Sequence, residues 1–261
     1  MKSNGLLAFL TLSEIRRNIV LRLYEKPMTL SGLKEMLSMT SPQIIPYIKE
    51  LQSKNLIKKE GNEYSLTPIG KVAAKKLKPL LDSFKSLDSN DKFLREHDLK
   101  PIPEHLVERI DELGECMVIE NSLENITATY REVLAKLSIS AWIKGVSSIF
   151  EVEYPKFFLA LAQHDRPVYI IVTRQIYKKV EKEYAREIGQ FLSCKDSHLY
   201  VIDDLPIAFA VTDVFFSISL CSTNGHFDAL TNLMSFEKPA LKWGEELFDY
   251  YKENSIEISR L

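Results

Sequence analysis

Apolar residues recur at helical spacing through the first quarter of the chain and at strand spacing beyond residue 115, and this change of period divides the sequence. Over 14–25 the apolar positions 15, 19, 20 and 23 form one stripe of a 3.6-residue helix. Thr29 is placed to cap a short helix containing Leu33, Met36 and Leu37. In "SPQIIPYIKEL" Ser41 is the expected N-cap, and Pro42 takes the first helical position, where its missing N–H costs nothing. Ile44, Ile48 and Leu51 then face inward, whereas Gln43, Ile45, Pro46, Lys49 and Gln52 point elsewhere. Pro46 falls in the second turn and deletes one backbone hydrogen bond, at up to roughly 3 kcal/mol in a helix interior. A helix anchored at its far end tolerates this. Residues 56–59 and 64–66 read as a strand pair around the turn 60–63, and Thr67-Pro68 opens another helix.

Three helices followed by a hairpin make a winged helix-turn-helix, whose third helix enters the DNA major groove. "LKEMLSMTSPQIIPYIKELQSKNLI" and the "LTPIGK" that leaves the hairpin resemble the DNA-binding domain of ArsR- and MarR-type regulators. On that reading the candidate DNA contacts are Ser41, Gln43, Ile45, Pro46 and Lys49 on the helix, with Lys58, Lys59 and Asn62 on the wing. Gln43 is suited to an adenine edge, and Ile45 or Pro46 to a thymine methyl. Pro46 departs from the family pattern, which more often places a polar or basic residue there.

After the wing, Val72, Ala73, Leu77, Leu80, Leu81, Phe84 and Leu87 predict a connector helix over 71–87, broken or kinked at Pro79. The polar "DSNDKF" and the proline-bearing "HDLKPIPEHL" read as a hinge. The expected division is therefore a domain over 1–90, a hinge over 91–114 and a second domain over 115–261. In that second domain "ECMVIEN", "SISAWI", "VYIIVT", "HLYVID", "IAFAVT" and "FFSISLC" are strand candidates, with helices near 124–137, 146–163, 176–193 and 237–253. Ile207, Phe209 and Val211 alternate with alanines, and Phe216, Ile218 and Leu220 with Ser217, Ser219 and Cys221, which predicts an antiparallel pair turning at Thr212-Asp213. The expected fold is an α+β winged helix joined to an α/β domain with a mixed sheet.

Composition adds a charge split. The net charge of −2 conceals 17 Lys and Arg against 9 Asp and Glu up to Arg95, and 17 against 27 beyond it, balances of +8 and −10. A basic first domain attracts phosphates, while an acidic second domain is repelled by them. At 261 residues and 45% hydrophobic content the chain can build two cores. No run approaches the ~18 apolar residues of a membrane span, and "MKSNGLLAFLTLSEIRR" lacks a signal-peptide cleavage pattern, so a cytoplasmic protein without a membrane partner is expected. Cys116, Cys194 and Cys221 have no disulfide or metal spacing and read as buried free thiols.

"FLREHDLKPIPEHLVERIDELGE" and "FAVTDVFFSISLCSTNGHFDALTNLMSFEKPALKWGEELFDYYKENS", with the ordered motifs "HDL…IP", "NGHFD" and "ALKWGEELFDYY", resemble the archaeal methanogenesis regulatory protein family. The resemblance implies a winged-helix transcription regulator with a C-terminal sensor domain related to phospholipase-D-like folds, as in TrmB-type sugar regulators. Enzyme chemistry finds no footing in the residues. A phospholipase-D-type site needs a histidine with a lysine two residues on, and His97, His105, His164, His198 and His226 all lack one. Gly-rich phosphate loops, HExxH and GxSxG are absent as well, so neither catalysis, metal nor cofactor is expected. Asp203-Asp204 before Leu205-Pro206, and His226 in "NGHFD", read as turns.

A sensor reading remains. Small anions settle where strands end and helices begin, and Lys144, Thr173 and Arg174 are the candidate effector residues, following "SISAWI" and "VYIIV". An ion pair from Arg174 to a surface carboxylate is the plainer alternative. Trp142 and Trp243 read as core, with Trp243, Leu247 and Tyr250 sharing one face. The sequence thus predicts a homodimeric regulator of double-stranded DNA that senses a small, anionic effector. The alternative is a winged-helix protein-interaction module carried on a scaffold domain, to which the apolar Ile45-Pro46 pair lends support.

Overall fold

The computed structural model describes residues 5–120 and 127–259. The chain forms two compact units, Met1–Asp82 and Ser83–Leu261. The first contains α1 (Leu6–Thr11), α2 (Glu14–Glu25), β1 (Met28–Thr29), α3 (Leu30–Leu37), α4 (Ser41–Ser53), β2 (Ile57–Glu60), β3 (Glu63–Leu66) and the start of α5 (Pro68–Glu96). Ile19, Leu33, Ile44, Leu51 and Leu56 are fully buried at its centre, so the inward stripe expected for the third helix is the observed one. β2 and β3 pair antiparallel from Ile57↔Leu66 to Glu60↔Glu63, and β1 adds a third strand beside β3. α1 and β1 were not expected from the sequence, being too short to show a period.

The cap of α4 differs from expectation. Ser41 is already helical; Thr40, extended at φ −83° and ψ 161°, is the N-cap, and Gln43 Oε1 accepts the Thr40 N–H at 2.8 Å. Thr and Gln three residues apart form this pairing readily, and it competes with Ser41 for the cap position. Pro46 is accommodated without breaking the helix. Thr67 caps α5 as expected, accepting from Gly70 N–H at 3.0 Å.

α5 runs unbroken through Pro79 to Glu96, well past the expected end at 87. The division between units falls after Asp82, and the segment 91–114, expected as a hinge, is anchored to the second core by a few buried side chains. Phe93, Ile102, Leu106 and Leu113 are each buried in the second core, and Ser86 Oγ and Asn90 Nδ2 both donate to the Gly114 carbonyl, at 2.9 and 2.8 Å. Its prolines punctuate a short helix, α6 (Glu104–Val107), and a 3₁₀ turn, Ile110–Leu113.

The second unit continues with β4 (Met117–Glu120), α7 (Thr127–Ile139), β5 (Ile143–Ser147), α8 (Tyr154–Gln163), β6 (Val168–Thr173), α9 (Arg174–Glu183), α10 (Ala185–Ser193), β7 (Ser197–Ile202), β8 (Ile207–Thr212), β9 (Phe216–Leu220), β10 (Thr231–Ser235), α11 (Lys238–Glu253) and β11 (Ile256–Ile258). Among the described residues these strands form one eight-stranded sheet in the order β11-β7-β6-β5-β8-β9-β10-β4. β5, β6 and β7 run parallel and the other pairs antiparallel, so the sheet is mixed. β8 and β9 pair as expected, Ile207 opposite Leu220 and Val211 opposite Phe216.

"SISAWI" is not a strand: Ser138 and Ile139 end α7, and β5 begins only at Ile143. The expected helices over 146–163 and 176–193 shorten to α8 and divide into α9 and α10, with Tyr184 as the joint. Residues 124–126 of the expected helix over 124–137, and Asn121 of "ECMVIEN", lie outside the described residues. The free cysteines are partly rather than fully buried, and burial pushes the Cys116 thiol up to about 12.

Period-two alternation sends large and small residues to opposite faces of the sheet. Ile207, Phe209, Val211, Phe216, Ile218 and Leu220 join one core, closed by α11, α6 and the 3₁₀ turn. Trp243 is completely buried there, 5.4 Å from the Phe216 ring centroid, and its Nε1 donates to the Leu106 carbonyl at 2.9 Å. Tyr251 rather than Tyr250 completes the inward stripe of α11; Tyr250 is 41% exposed. The other face carries Gly145, Ala208, Ala210, Ser217 and Ser219 under α7, α8, α9 and α10.

Candidate functional site

On the first unit, α4 leaves Pro42, Gln43, Pro46 and Lys49 exposed, with Ser41 and Ile45 half-buried. Lys58, Lys59 and Asn62 are exposed on the β2–β3 wing. The helix and wing residues singled out from sequence are therefore on its surface. Their chemistry is less basic than the domain average. Lys58 pairs with Glu60 at 2.6 Å, Lys59 lies 5.7 Å over the Tyr64 ring, and Glu63 sits beside them on the returning strand. Two roles compete for the Gln43 side chain. A bidentate adenine contact uses both Oε1 and Nε2, yet Oε1 already caps α4 through Thr40.

The candidate effector residues of the second unit do not converge. Lys144 is paired with Tyr169 near the start of β5, whereas Thr173 ends β6, one residue beyond the Val172↔Ser147 pair. Four residues of register separate them along the strands, about 13 Å. Lys144 turns to α11, where its Nζ lies 2.8 Å from Glu245 and 4.0 Å from Asp249, between the rings of Trp142 and Phe248. Thr173 uses its hydroxyl to cap α9, accepting from Ile176 N–H at 3.2 Å. Arg174 Nε donates to Asp203 at 2.5 Å, the surface pair that the plainer alternative described. The reason is the late start of β5, which moves Lys144 from the end of a strand to its beginning.

A cavity of about 250 Å³ lies elsewhere, over the small-residue face of the sheet. Gly145, Ala208, Ala210, Ser217 and Ser219 make the small-residue part of its floor beside Ile143, Ile170 and Leu199, and Leu134, Leu137, Phe158, Val180, Ile188 and Phe191 make its apolar wall. Asn232 of β10 is 8% exposed and lines it. Its Nδ2 donates to Ser219 Oγ at 3.1 Å, and that hydroxyl donates to the Thr231 carbonyl at 3.0 Å. Asn232 Oδ1 is buried with no hydrogen-bond partner among the described residues. Burial, and then the charge of Glu151, pushes the Tyr154 phenol well above its ordinary range. Glu151 and Glu187 also line the cavity, and among the described residues no Lys, Arg or His does. The alternation of Ala and Ser in "IAFAVT" and "FSISL" was the one signal for this space, since small side chains on one face leave volume that helices above cannot wholly fill.

Residues 5–85 match the family model described as the methanogenesis regulatory protein FilR1, N-terminal domain, and residues 126–254 match the model of its middle domain. A curated relative, the methanogenesis regulatory protein FilR1 of Methanothrix harundinacea (strain 6Ac), is 27% identical over 252 residues. That alignment covers 94% of this chain and 56% of the relative, so the chain spans little more than half the length of the protein it matches. Among solved structures the chain is similar to TrmBL2, described as an archaeal chromatin protein with a novel mode of DNA binding, at a TM-score of 0.44 and 13% identity over 96% of this chain and 97% of that one.

Proposed function

Because this chain belongs to the methanogenesis regulatory protein family, we propose that it is a transcription regulator that binds double-stranded DNA through α4 and the β2–β3 wing, acts in the cytoplasm, and senses a small effector with its second unit. The observation that carries this reading is the three-helix and hairpin arrangement with α4 exposed along Gln43, Pro46 and Lys49. The second unit is read as a non-catalytic, phospholipase-D-like sensor, consistent with its mixed sheet and with five histidines that all lack a lysine two residues on. α5, continuous from Pro68 to Glu96, is the covalent link through which effector and DNA binding are coupled. A homodimer is supported by an exposed stripe on the part of α5 in the first unit, Ile69, Val72 and Leu80, which recur on one side of a 3.6-residue helix.

Anisotropy titrations of the full chain against duplex DNA fragments at two salt concentrations test the reading. Binding is expected to weaken steeply with salt, with a log–log slope of about −0.9 per phosphate neutralised. Replacing Lys58 and Lys59 together by alanine should weaken binding to all sequences and flatten that slope by about 2. Gln43→Glu keeps an acceptor for the Thr40 N–H, so a change in its sequence preference reports base contact rather than a lost cap. A folded protein with no DNA binding at low salt would favour the second reading, a protein-interaction module. The apolar Ile45-Pro46 pair and the charge-balanced wing support that alternative.

A further inference from the structure

The cavity on the small-residue face has a composition that selects among ligands. Its floor is apolar apart from Ser217, Ser219 and Asn232, its wall includes the rings of Phe150, Tyr154, Phe158, Tyr177 and Phe191, and its only charged lining residues, among those described, are the acids Glu151 and Glu187. An anion entering it would lose its hydration and meet two carboxylates, with no Lys, Arg or His among the described lining residues to offset this; Lys179 Nζ, 4.3 Å over the Phe150 ring, is engaged with a wall residue. Asn232 supplies a direction. It lines the cavity and is 8% exposed, its amide nitrogen is committed to Ser219, and its Oδ1 is buried and unpaired among the described residues. A buried acceptor without a partner is costly unless something arrives to donate to it.

We propose that this cavity binds a neutral, largely apolar, aromatic small molecule bearing one hydrogen-bond donor, which Asn232 Oδ1 accepts. The inference deepens the effector-sensing reading and rests on it for its regulatory meaning, though not for the binding itself. It also changes the class of effector from the anion expected at Lys144, Thr173 and Arg174, all of which are engaged elsewhere. Size sets a bound. An apolar cavity of 150 Å³ accepts benzene, so one of about 250 Å³ suits a molecule of about ten non-hydrogen atoms.

The test uses the full chain, without DNA, and four probes that differ in one group each: 1-naphthol, 1-methoxynaphthalene, 1-naphthoate and 1-naphthylmethylamine, the last a cation at neutral pH. Calorimetric titration should show 1-naphthol binding about tenfold more tightly than the methoxy compound, which lacks the donor, and no measurable binding of naphthoate. Asn232→Leu should remove the advantage of naphthol and leave methoxynaphthalene unchanged. Ala208→Phe should abolish binding of both by filling the floor, with Gly145→Val as a second filling variant, and circular dichroism confirms that each is folded.

Naphthoate or the ammonium probe binding as tightly as naphthol overturns the neutral class. Equal binding of naphthol and methoxynaphthalene, or an equal loss of both in Asn232→Leu, overturns the role of Asn232. Binding that survives in a folded filling variant overturns the cavity as the site, as does an absence of binding by all four probes. DNA affinity is measured separately with and without naphthol. An unchanged DNA affinity in saturating naphthol would sink the sensor reading while leaving the binding site standing.

Discussion

Along β8 and β9 the two faces of the large sheet have opposite character, although β5, β6 and β7 bury Ile143, Ile170 and Leu199 on the cavity side as well. Against α11, the residues Phe209, Phe216 and Ile218 interlock with Trp243, Leu247 and Phe248, each of them at most 5% exposed. One position along each strand, the neighbours Ala208, Ala210, Ser217 and Ser219 face α7, α8, α9 and α10 across a cavity. Dense packing fixes one arrangement because every large side chain has only one place to go. Small side chains under bulky helices leave volume that another molecule can occupy. Stability and binding are thus divided between alternate residues of one strand.

Stability measurements can break that division. The largest effect is expected from Trp243→Ala, which opens a void beside Phe216 and leaves the Leu106 carbonyl without its donor. A loss of about 3–5 kcal/mol should appear as a lower urea midpoint. A loss under about 1 kcal/mol would mean that this face is no tighter than the other.

Gly244→Ala comes next. A Cβ there would lie 2.4 Å from Phe216 Cδ2, inside a core with no slack, so overpacking should cost about 1–3 kcal/mol and lower the melting temperature.

Asp228 tests the margin of the packed face, where His97 stacks on Phe93 at 4.1 Å and turns its ring nitrogens to the Phe93 carbonyl and the Asp228 carboxylate. Burial pushes the Asp228 carboxyl up, but hydrogen bonds from Thr231, Leu230 and His97 outweigh it and hold the group below the usual carboxylate range. A depressed folded-state value contributes stability above the unfolded pKa of about 3.9, and that contribution is lost as pH falls through the folded value. Asp228→Asn should therefore be about 1 kcal/mol less stable at pH 7, with the two stability curves converging as pH falls through the depressed folded-state value. Parallel curves across that range would remove the carboxylate's charge from the account.

The smallest effect belongs to the other face. Ala208→Val adds two methyl groups where space exists, and chemical denaturation should register a change within about 0.5 kcal/mol. A cost like that of Gly244→Ala would show the cavity face to be as unforgiving as the packed one.

How much of this was legible beforehand depended on the range of the interaction concerned. The stripe Ile44, Ile48 and Leu51, the wing pair and the Thr67 cap are local patterns, and each formed as its spacing required. The β8–β9 pair was equally legible, since alternation and a turn suffice to set an antiparallel neighbour. The boundary of β5 was not. Nothing local in "SISAWIKGVS" states that Ser138 and Ile139 finish a helix, and a shift of a few residues carried Lys144 from a strand end to a strand start. The supposed hinge failed for a related reason. Prolines and polar residues mark turns, but whether a turn is mobile or packed is settled by Phe93, Ile102 and Leu106 meeting a core built from residues more than a hundred positions away.

Order along the chain is enough to set which residues alternate, where small side chains sit on β8 and β9, and which charges collect in each half. Tertiary structure alone decided that α7, α8, α9 and α10 roof the small residues, that Asn232 is brought beside Ser219 with an acceptor to spare, and that Arg174 is spent on Asp203. Those outcomes follow from strand order and register. Such pairings are chosen by the burial of whole faces at once, and the local pattern around either partner does not state them.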